Sequence, residues 1–360
     1  VRGGLGVFTG RIPFAWIGYA FYNTGHSYGA YDQRTDNGTS QFLPGTDPLR
    51  HAPGQGIAGF AQQNGTVVDK KGAGQTQVDL IDNSFVMPQI FRSSLAVDFT
   101  DAHGFKYTIE GIYTQVVKDV LFQQVNLKDG PTAFPYAYDS AANLRRQPIF
   151  NGGIDPHFAN AYEMSNTSQG HRLQLTAQVS KNFDNGIHAM VAYTYGWSKD
   201  LANGIRNSME SNWQLNPALN PNNPGLAYSN FDIRHRVIAN ISYRLLWNKN
   251  WATTFALFAN FQSGSPFTYG FINYTIQNTP QQVSLTYIPN KGEAINFFKD
   301  IKDDGGQVIQ SAAAQAQTFN DFIDRNSYLR TRRGRFTERN AARTPWNNDV
   351  DFHFAHDFGI

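Results

Sequence analysis

A glycine-rich stretch, GQGIAG at residues 54–59, has the spacing of a dinucleotide-binding loop. Such a loop cradles a pyrophosphate only where a strand precedes it and a helix follows it within a βαβ unit. Here Pro53 precedes the stretch and a polar segment follows it. The surroundings therefore favour an ordinary loop, and we expect no cofactor.

Two carboxylates, Asp98 and Glu110, are predicted to face each other across a β-hairpin. Paired carboxylates can serve as the acid and the base or nucleophile of glycoside hydrolysis. Lys106 and Arg92 share the same predicted face, however, which favours a charge network over a catalytic pair. We expect no catalytic residue and no enzymatic activity.

Three potential metal ligands alternate near the C-terminus, namely Asp349, Asp351 and His353. A bound metal needs three or more converging ligands, and this single strand face offers no second element, while His356 has the opposite parity. The absence of cysteine excludes a disulfide framework, a thiolate zinc site and a Cys nucleophile. We expect solvated side chains and no metal.

The densest basic run is RTRRGRFTER, residues 330–339. Nucleic-acid binding requires a wider basic face, and the net charge of the chain is only +2, so no nucleic-acid partner is expected. Two interpretations remain open. On an outer-membrane protein, the arginines would bind phosphates of lipopolysaccharide or acidic residues of the wall; otherwise they form ion pairs inside their own loop.

The sequence pattern around these residues predicts strands that have one apolar face. In DNGIHAMVAYTYGWSKD, residues 184–200, every large apolar side chain except Met190 has one parity after a tight turn. Period-two alternation of this kind predicts a half-apolar strand. Three hairpins with tight turns are predicted; their strands span residues 89–99 and 105–113, 171–183 and 187–197, and 233–245 and 251–261.

The connections between the hairpins are long and polar, at about 114–170, 198–230 and 264–318. Compact soluble domains rarely contain loops beyond about 12–15 residues. Transmembrane β-barrels have short turns at one rim and long loops at the other. The sequence contains no run of about 18 apolar residues, so it predicts no membrane-spanning helix. Only the segment at 311–334, with an Ala-rich start, is predicted to be helical.

Aromatic and charged residues fit the same arrangement. Aromatic residues are predicted at both ends of the strands, as in membrane-interface girdles; they are Phe99, Phe105, Phe183, Trp247 and Trp251 near the short turns, and Tyr113, Tyr193, Tyr195, Trp197 and Phe261 at the far ends. The other face of the strands carries many charged residues, and burying them in a protein core would cost much free energy. The apolar face is therefore predicted to contact lipid and the charged face a wet lumen, with a secreted β-sandwich or propeller as the alternative.

Five motifs resemble TonB-dependent outer-membrane receptors of the Oar-like type, and they occur in the order of that family. They lie at residues 6–25, 182–200, 229–245, 263–270 and 319–358. The resemblance implies an all-β, 22-stranded transmembrane barrel in the outer membrane of a Gram-negative bacterium. Residues 1–360 would form part of its wall, as a fragment of a longer protein. The N-terminal plug and the region that contacts TonB would lie outside this chain.

The resemblance implies TonB-dependent active import, with loops that capture the ligand. The alternatives are a passive porin or structural outer-membrane barrel, or a secreted β-rich glycan-binding protein. Expected partners are outer-membrane lipid, lipopolysaccharide, TonB and a surface lipoprotein. Candidate substrate contacts are Tyr162, Trp213, Tyr228, Arg234 and Arg236. The loop aromatics among them, with Tyr136 and Tyr138, either form a substrate mouth or pack the loops together.

Overall fold

A computed structural model describes residues 1–24, 76–130, 150–202, 204, 206–272 and 281–359. In chain order its strands are β1 (Arg2–Thr9), β2 (Thr76–Ile81), β3 (Gln89–Thr100), β4 (Lys106–Gln124), β5 (Leu127–Asp129), β6 (Phe150–Gly153), β7 (Phe158–Thr167), β8 (His171–Asn182), β9 (Ile187–Asp200), β10 (Ala227–Tyr228), β11 (His235–Leu246), β12 (Trp251–Gln262), β13 (Pro266–Phe267), β14 (Gly270–Ile272), β15 (Val283–Leu285), β16 (Tyr287–Ile288), β17 (Ile301–Lys302), β18 (Val308–Gln310), β19 (Arg335–Phe336), β20 (Ala342–Arg343) and β21 (Asn347–Phe358). The helices are α1 (Phe14–Tyr22), α2 (Met209–Gln214), α3 (Ala312–Arg325) and α4 (Ser327–Arg330), with a 3₁₀ turn at Ala294–Phe297.

Eight of these strands form one antiparallel wall in the order β1-β3-β4-β8-β9-β11-β12-β21. Tight turns join β3 to β4, β8 to β9 and β11 to β12, as the sequence predicts. In the turn between β8 and β9, Gly186 has φ of +84°, which suits a residue without Cβ. The C-terminal strand β21 pairs with β12 along its whole length. The three predicted hairpins are therefore confirmed.

The strand register gathers the large apolar side chains on one face of the wall. Val179 pairs with Val191, Val191 with Ala239 and Ala239 with Ala259. Large side chains of this face remain open to solvent in every wall strand; examples are Leu5, Leu95, Ile109, Leu175, Val191, Ile241, Leu257 and Phe352. No described element of the chain covers this face, which we call the outward face. The predicted parity is confirmed.

The opposite face, called the inward face, carries hydrogen-bonded polar groups. Thr176 Oγ1 and Thr194 Oγ1 lie 3.0 Å apart, and Arg236 Nε donates to Asn260 Oδ1 at 2.9 Å. Asp98 and Glu110 lie here but are not directly opposite, because Asp98 pairs with Thr108 and Glu110 with Ala96. That detail of the prediction is wrong. Arg2 bridges both carboxylates, at 3.1 and 3.3 Å, so the pair belongs to a charge network.

Strand β4 is much longer than its predicted end at residue 113. Its 19 residues continue to Gln124. Its first half pairs with β8 and its last six residues pair with β7, while β2 runs parallel to β7. Residues 114–170 are thus a loop only in part. Alternation is lost beyond Tyr113 because this stretch has apolar residues on both faces, including Val120, Leu121 and Phe122.

A compact core lies where β4 and β7 extend beyond β8. Its buried members come from α1 and the segment before it, α2, β4 and β7; they are Ile12, Trp16, Val120, Phe122, Tyr162, Met164, Met209 and Trp213. Trp16 of α1 packs edge-on against Phe122 with ring centroids 5.0 Å apart and donates through Nε1 to the carbonyl of Arg206. Helix α1 was not predicted from the sequence.

The long connections fold over the same end of the wall. Small sheets, β13–β20, β14–β15 and β16–β19, join distant segments, and α3 packs Ile323 beside Ile288 and Leu329 of a second core. The helix predicted at 311–334 is two helices, since α3 ends at Arg325 and the Asn326 side chain caps α4. Within the described ranges no helix has the length and apolarity to span a membrane.

Candidate functional site

A cavity of about 610 Å³, called cavity A, lies among the folded connections. Segments from two connections, the one between β9 and β11 and the one between β12 and β21, build its wall together with the end of β9. Its lining residues are Lys199, Pro217, Ala218, Leu219, Gly225, Leu226, Ala227, Tyr228, Leu285, Arg332, Arg335, Phe336, Thr337, Glu338 and Arg339. A mainly apolar wall with a few converging charged groups is typical of a small-ligand site.

Four cations line cavity A, and two of them are held by carboxylates. Arg339, buried to 3% exposure, lies 2.6 Å from Asp200, and Arg332 lies 2.9 Å from Glu338. Within the described part of the chain, Arg339 Nη1 is buried without a hydrogen-bond partner. The other two cations, Lys199 and Arg335, have no carboxylate within ion-pair distance among the described residues. Cavity A therefore carries an excess of positive charge.

Tyr228 forms the boundary of cavity A and is surrounded by cations. The centre of its ring lies 4.6 Å from the Arg234 guanidinium, 5.2 Å from Lys199 Nζ and 5.7 Å from the Arg343 guanidinium. The strand pairing of β10 with β9 sets Tyr228 directly beside Lys199. Cations are attracted to the electron-rich ring face, so Tyr228 acts as a shared platform for all three.

Asp232 forms ion pairs with two of these cations, Arg234 and Arg343. Its side chain has no exposed surface and pairs with both Arg343 and Arg234, the latter at 3.3 Å. It also accepts from the backbone nitrogen of Ser198, and Arg343 donates to its carbonyl at 2.7 Å. These contacts tie β9, β11 and β20 together at one point.

A second cavity, called cavity B, lies on the other side of Tyr228 and has a volume of about 400 Å³. Its lining residues are Tyr228, Arg234, His235, Ser263, Gly264, Ala341, Arg343, Thr344 and Trp346. Gly264 is required here because a Cβ would stand 1.9 Å from the carbonyl oxygen of Thr344. This close approach brings the loop before β21 against the segment that follows β12.

The structure brings together only two of the five predicted substrate contacts. Tyr228 and Arg234 line cavity B, whereas Arg236 lies exposed on the inward face of β11. Tyr162 and Trp213 are 0% and 1% exposed, with ring centroids 5.7 Å apart in the compact core. Whether any of the five touches a ligand stays a prediction. Tyr136, Tyr138 and the stretch at 54–59 lie outside the described residues.

An acidic pair, the buried Asp79 and the partly buried Glu210, lies beside that core, beyond the membrane-spanning part of the wall. Asp79 is 3% exposed and accepts from Asn23 and Gln77 at 2.9 and 3.0 Å, while Gln77 also bonds Glu210. Burial raises the pKa of both carboxyls and raises the pKa of Tyr162. The pair therefore holds protons more tightly than free carboxyls do.

The predicted metal ligands lie outside both cavities, on β21. Asp349 accepts from Asn260 and Asn347, and Asp351 and His353 follow on β21. Within the described part of the chain, no group of three or more acidic, His or Cys residues is placed to hold a metal. In the basic run, Arg332, Arg333 and Arg339 form ion pairs with loop or strand carboxylates. The ion-pair interpretation thus holds for part of the run.

Sequence reasoning missed Lys199, Arg343, Asp232 and Asp200 as members of the site. Arg343 and Asp232 are 111 residues apart, and only strand pairing brings them together. The signal that was available is local, since SNFDIRHR places a carboxylate between an aromatic residue and two cations just before a strand. Charged residues at the end of a strand, just beyond an aromatic girdle, indicate a binding site at the rim of the wall.

The comparisons with known proteins agree with this architecture. A family model described as "Outer membrane beta barrel domain" matches residues 1–360. No curated protein and no solved structure matches the chain. The match decides against the secreted β-rich alternative, and it fits the antiparallel wall with its open apolar face. The chain therefore belongs to the outer membrane beta barrel domain family.

Proposed function

We propose that the protein is the barrel portion of a TonB-dependent receptor, which imports a ligand actively across the outer membrane. The observation that carries this proposal is the folded layer over one end of the wall. Two buried cores and several small sheets organise that layer around cavity A. Connections with their own core present a preformed binding surface, because a rigid scaffold positions binding loops.

The proposed mechanism has two steps, and neither makes or breaks a covalent bond. The ligand first binds between the segments that line cavity A, where Lys199 and Arg335 are free of carboxylate partners among the described residues. TonB then acts on a plug domain and opens a path along the polar inward face. A surface lipoprotein is proposed to assist capture at the exposed connections, and the protein is not an enzyme.

Conductance separates this function from a passive porin. The full-length protein is inserted into a planar lipid bilayer, and its steady current is measured without TonB. A plugged receptor gives almost no steady current, since the lumen is blocked. A passive porin gives stable open-channel steps, and that result contradicts the proposal.

A second measurement tests the coupling directly. The purified periplasmic domain of TonB is titrated into the full-length protein and into the same protein without its N-terminal region. We expect saturable binding to the full-length protein only. Equal binding to both, or no binding to either, contradicts a TonB-dependent function.

A further inference from the structure

Cavity B opens on the outward face, at the upper end of the apolar surface. His235 is paired with Tyr195 across β11 and β9, and Tyr193 OH lies 2.8 Å from His235 Nδ1. The Trp346 ring stacks on His235 with centroids 6.2 Å apart. All of these rings belong to the aromatic level at which the wall leaves the hydrocarbon layer.

The cations stand directly above this aromatic level. Lys199 is two residues beyond Trp197 on the same strand face, and Tyr228 is paired beside it. Arg234 and Arg343 approach the same ring from cavity B. Among the described residues, Asp232, with no exposed surface, is the only carboxylate within ion-pair distance of any of these three cations, so the group retains a net positive charge.

We propose that cavity B, together with Lys199 on the cavity A side of the Tyr228 ring, binds a phosphate group of lipopolysaccharide in the outer leaflet. The position follows from continuity with the lipid-facing wall, because a group just above the aromatic girdle meets the lipid headgroups. The chemistry follows from the guanidinium groups, which bind phosphate oxygens through paired N–H donors. An uncharged sugar would leave the excess positive charge without a partner.

The opposite rim gives a natural comparison. There Lys181 lies 4.5 Å from the Phe105 ring and 4.8 Å from the Phe183 ring, also on the outward face. Among the described residues no arginine lies over these two rings, and Lys181 lines neither cavity A nor cavity B. This rim therefore has the ordinary lysine and aromatic anchors of a membrane interface, without a built phosphate site.

The proposed site differs from the basic run at 330–339 that the sequence suggested for lipopolysaccharide. Arg332, Arg333 and Arg339 of that run are engaged by carboxylates. The rim site uses cations from β9, β11 and β20 instead. It requires neither TonB nor a transported ligand, so its test is independent of the proposed import function.

The experiment uses full-length protein that has been refolded free of lipopolysaccharide into nanodiscs of neutral phospholipid. Diphosphoryl lipid A and a fully dephosphorylated lipid A are the two probes, and native mass spectrometry measures the lipid retained. The test variant is Lys199→Gln with Arg234→Gln. Lys181→Gln is the matched control, and the Lys199→Gln single variant removes no ion pair from Asp232.

We expect wild-type protein and Lys181→Gln to retain diphosphoryl lipid A equally well. The double variant should bind it about tenfold more weakly and Lys199→Gln about threefold more weakly, while dephosphorylated lipid A should bind weakly to all. Equal retention of both probes by wild-type protein overturns the proposal, as does unchanged binding by both test variants. Full competition by millimolar inorganic phosphate marks a free-anion site and also overturns it.

Discussion

A single buried carboxylate organises the rim of this protein. Asp232 neutralises Arg234 and Arg343, and both arginines in turn lie against the ring of Tyr228. A buried pair of this kind adds little to stability relative to apolar packing, yet breaking it is costly because a charge is left unpaired. The contacts of Asp232 therefore determine how the last connection sits on the wall.

Replacing Asp232 with Ala should destabilise the folded state by about 3–5 kcal/mol, because two partly buried guanidinium groups lose their partner. Urea unfolding in detergent micelles, followed by fluorescence, measures the change. Asp98→Ala is the control, since Arg2 and Asp98 are both well exposed and exposed ion pairs contribute little. Similar losses for the two variants would show that Asp232 is not the organising group.

The buried acidic pair predicts a pH dependence of stability. The ordinary pKa values are 3.8 for Asp79 and 4.5 for Glu210, and burial raises both. The folded state then binds more protons than the unfolded state, so this contribution is present below the ordinary values and is lost as pH rises through the raised ones. The thermal midpoint in detergent should therefore decrease as the pH is raised above about 4.

The double variant Asp79→Asn with Glu210→Gln tests this origin. It removes both titrating groups and keeps hydrogen-bonding capacity for Asn23 and Gln77. Its thermal midpoint should vary less with pH than that of the wild type. A wild-type midpoint that rises over this range, or a variant with an unchanged slope, contradicts the assignment.

At the level of elements, the hairpins were predictable and the folded connections were not. Strands β8, β9, β11 and β12 follow the sequence to within a few residues, because alternation and Asn-Gly turns are local signals. The outer half of β4 and the parallel pairing of β2 with β7 escaped prediction. The outer half of β4 has apolar residues on both faces, so alternation does not mark it as a strand, and β2 pairs with a strand far away in the chain.

The candidate site was predictable only in part, for the same reason. Tyr228 was identified as an aromatic residue of a long connection, and Arg234 as a cation at the polar end of a predicted strand. Lys199 joins the site by pairing with Tyr228, 29 residues away, and Arg343 and Asp232 meet across 111 residues; local patterns do not encode such contacts. Burial of Tyr162 and Trp213 likewise follows from the packing of α1 and α2 on β4 and β7.

The parity of β9 makes a direct prediction for insertion. Val191 lies on the outward face opposite Val179 and Ala239, so Val191→Arg should weaken folding into a bilayer by about 2–4 kcal/mol near the midplane. Thr176→Arg, on the inward face beside Thr194, should be mild. Folding into lipid vesicles with increasing denaturant measures both. Equal effects would contradict the assignment of faces.

At the scale of the molecule, the tryptophans report which surfaces meet lipid. Trp247 and Trp251 are 61% and 49% exposed at the short-turn rim, whereas Trp16 and Trp213 are 3% and 1% exposed in the compact core. In vesicles of brominated lipid, a variant that keeps only Trp251 should be quenched strongly. A variant that keeps only Trp213 should be quenched weakly. Reversal of this order would place lipid on the wrong side of the wall.

The reach of β4 has a consequence for whatever the protein meets outside the cell. Nineteen residues of strand measure about 60 Å end to end, and at a tilt of about 40° they rise about 45 Å. The apolar band of a barrel is about 25 Å tall. The compact core therefore lies some way above the bilayer. A large particle or protein that approaches the cell surface, such as a phage or an antibody, would contact the core before it reaches the membrane.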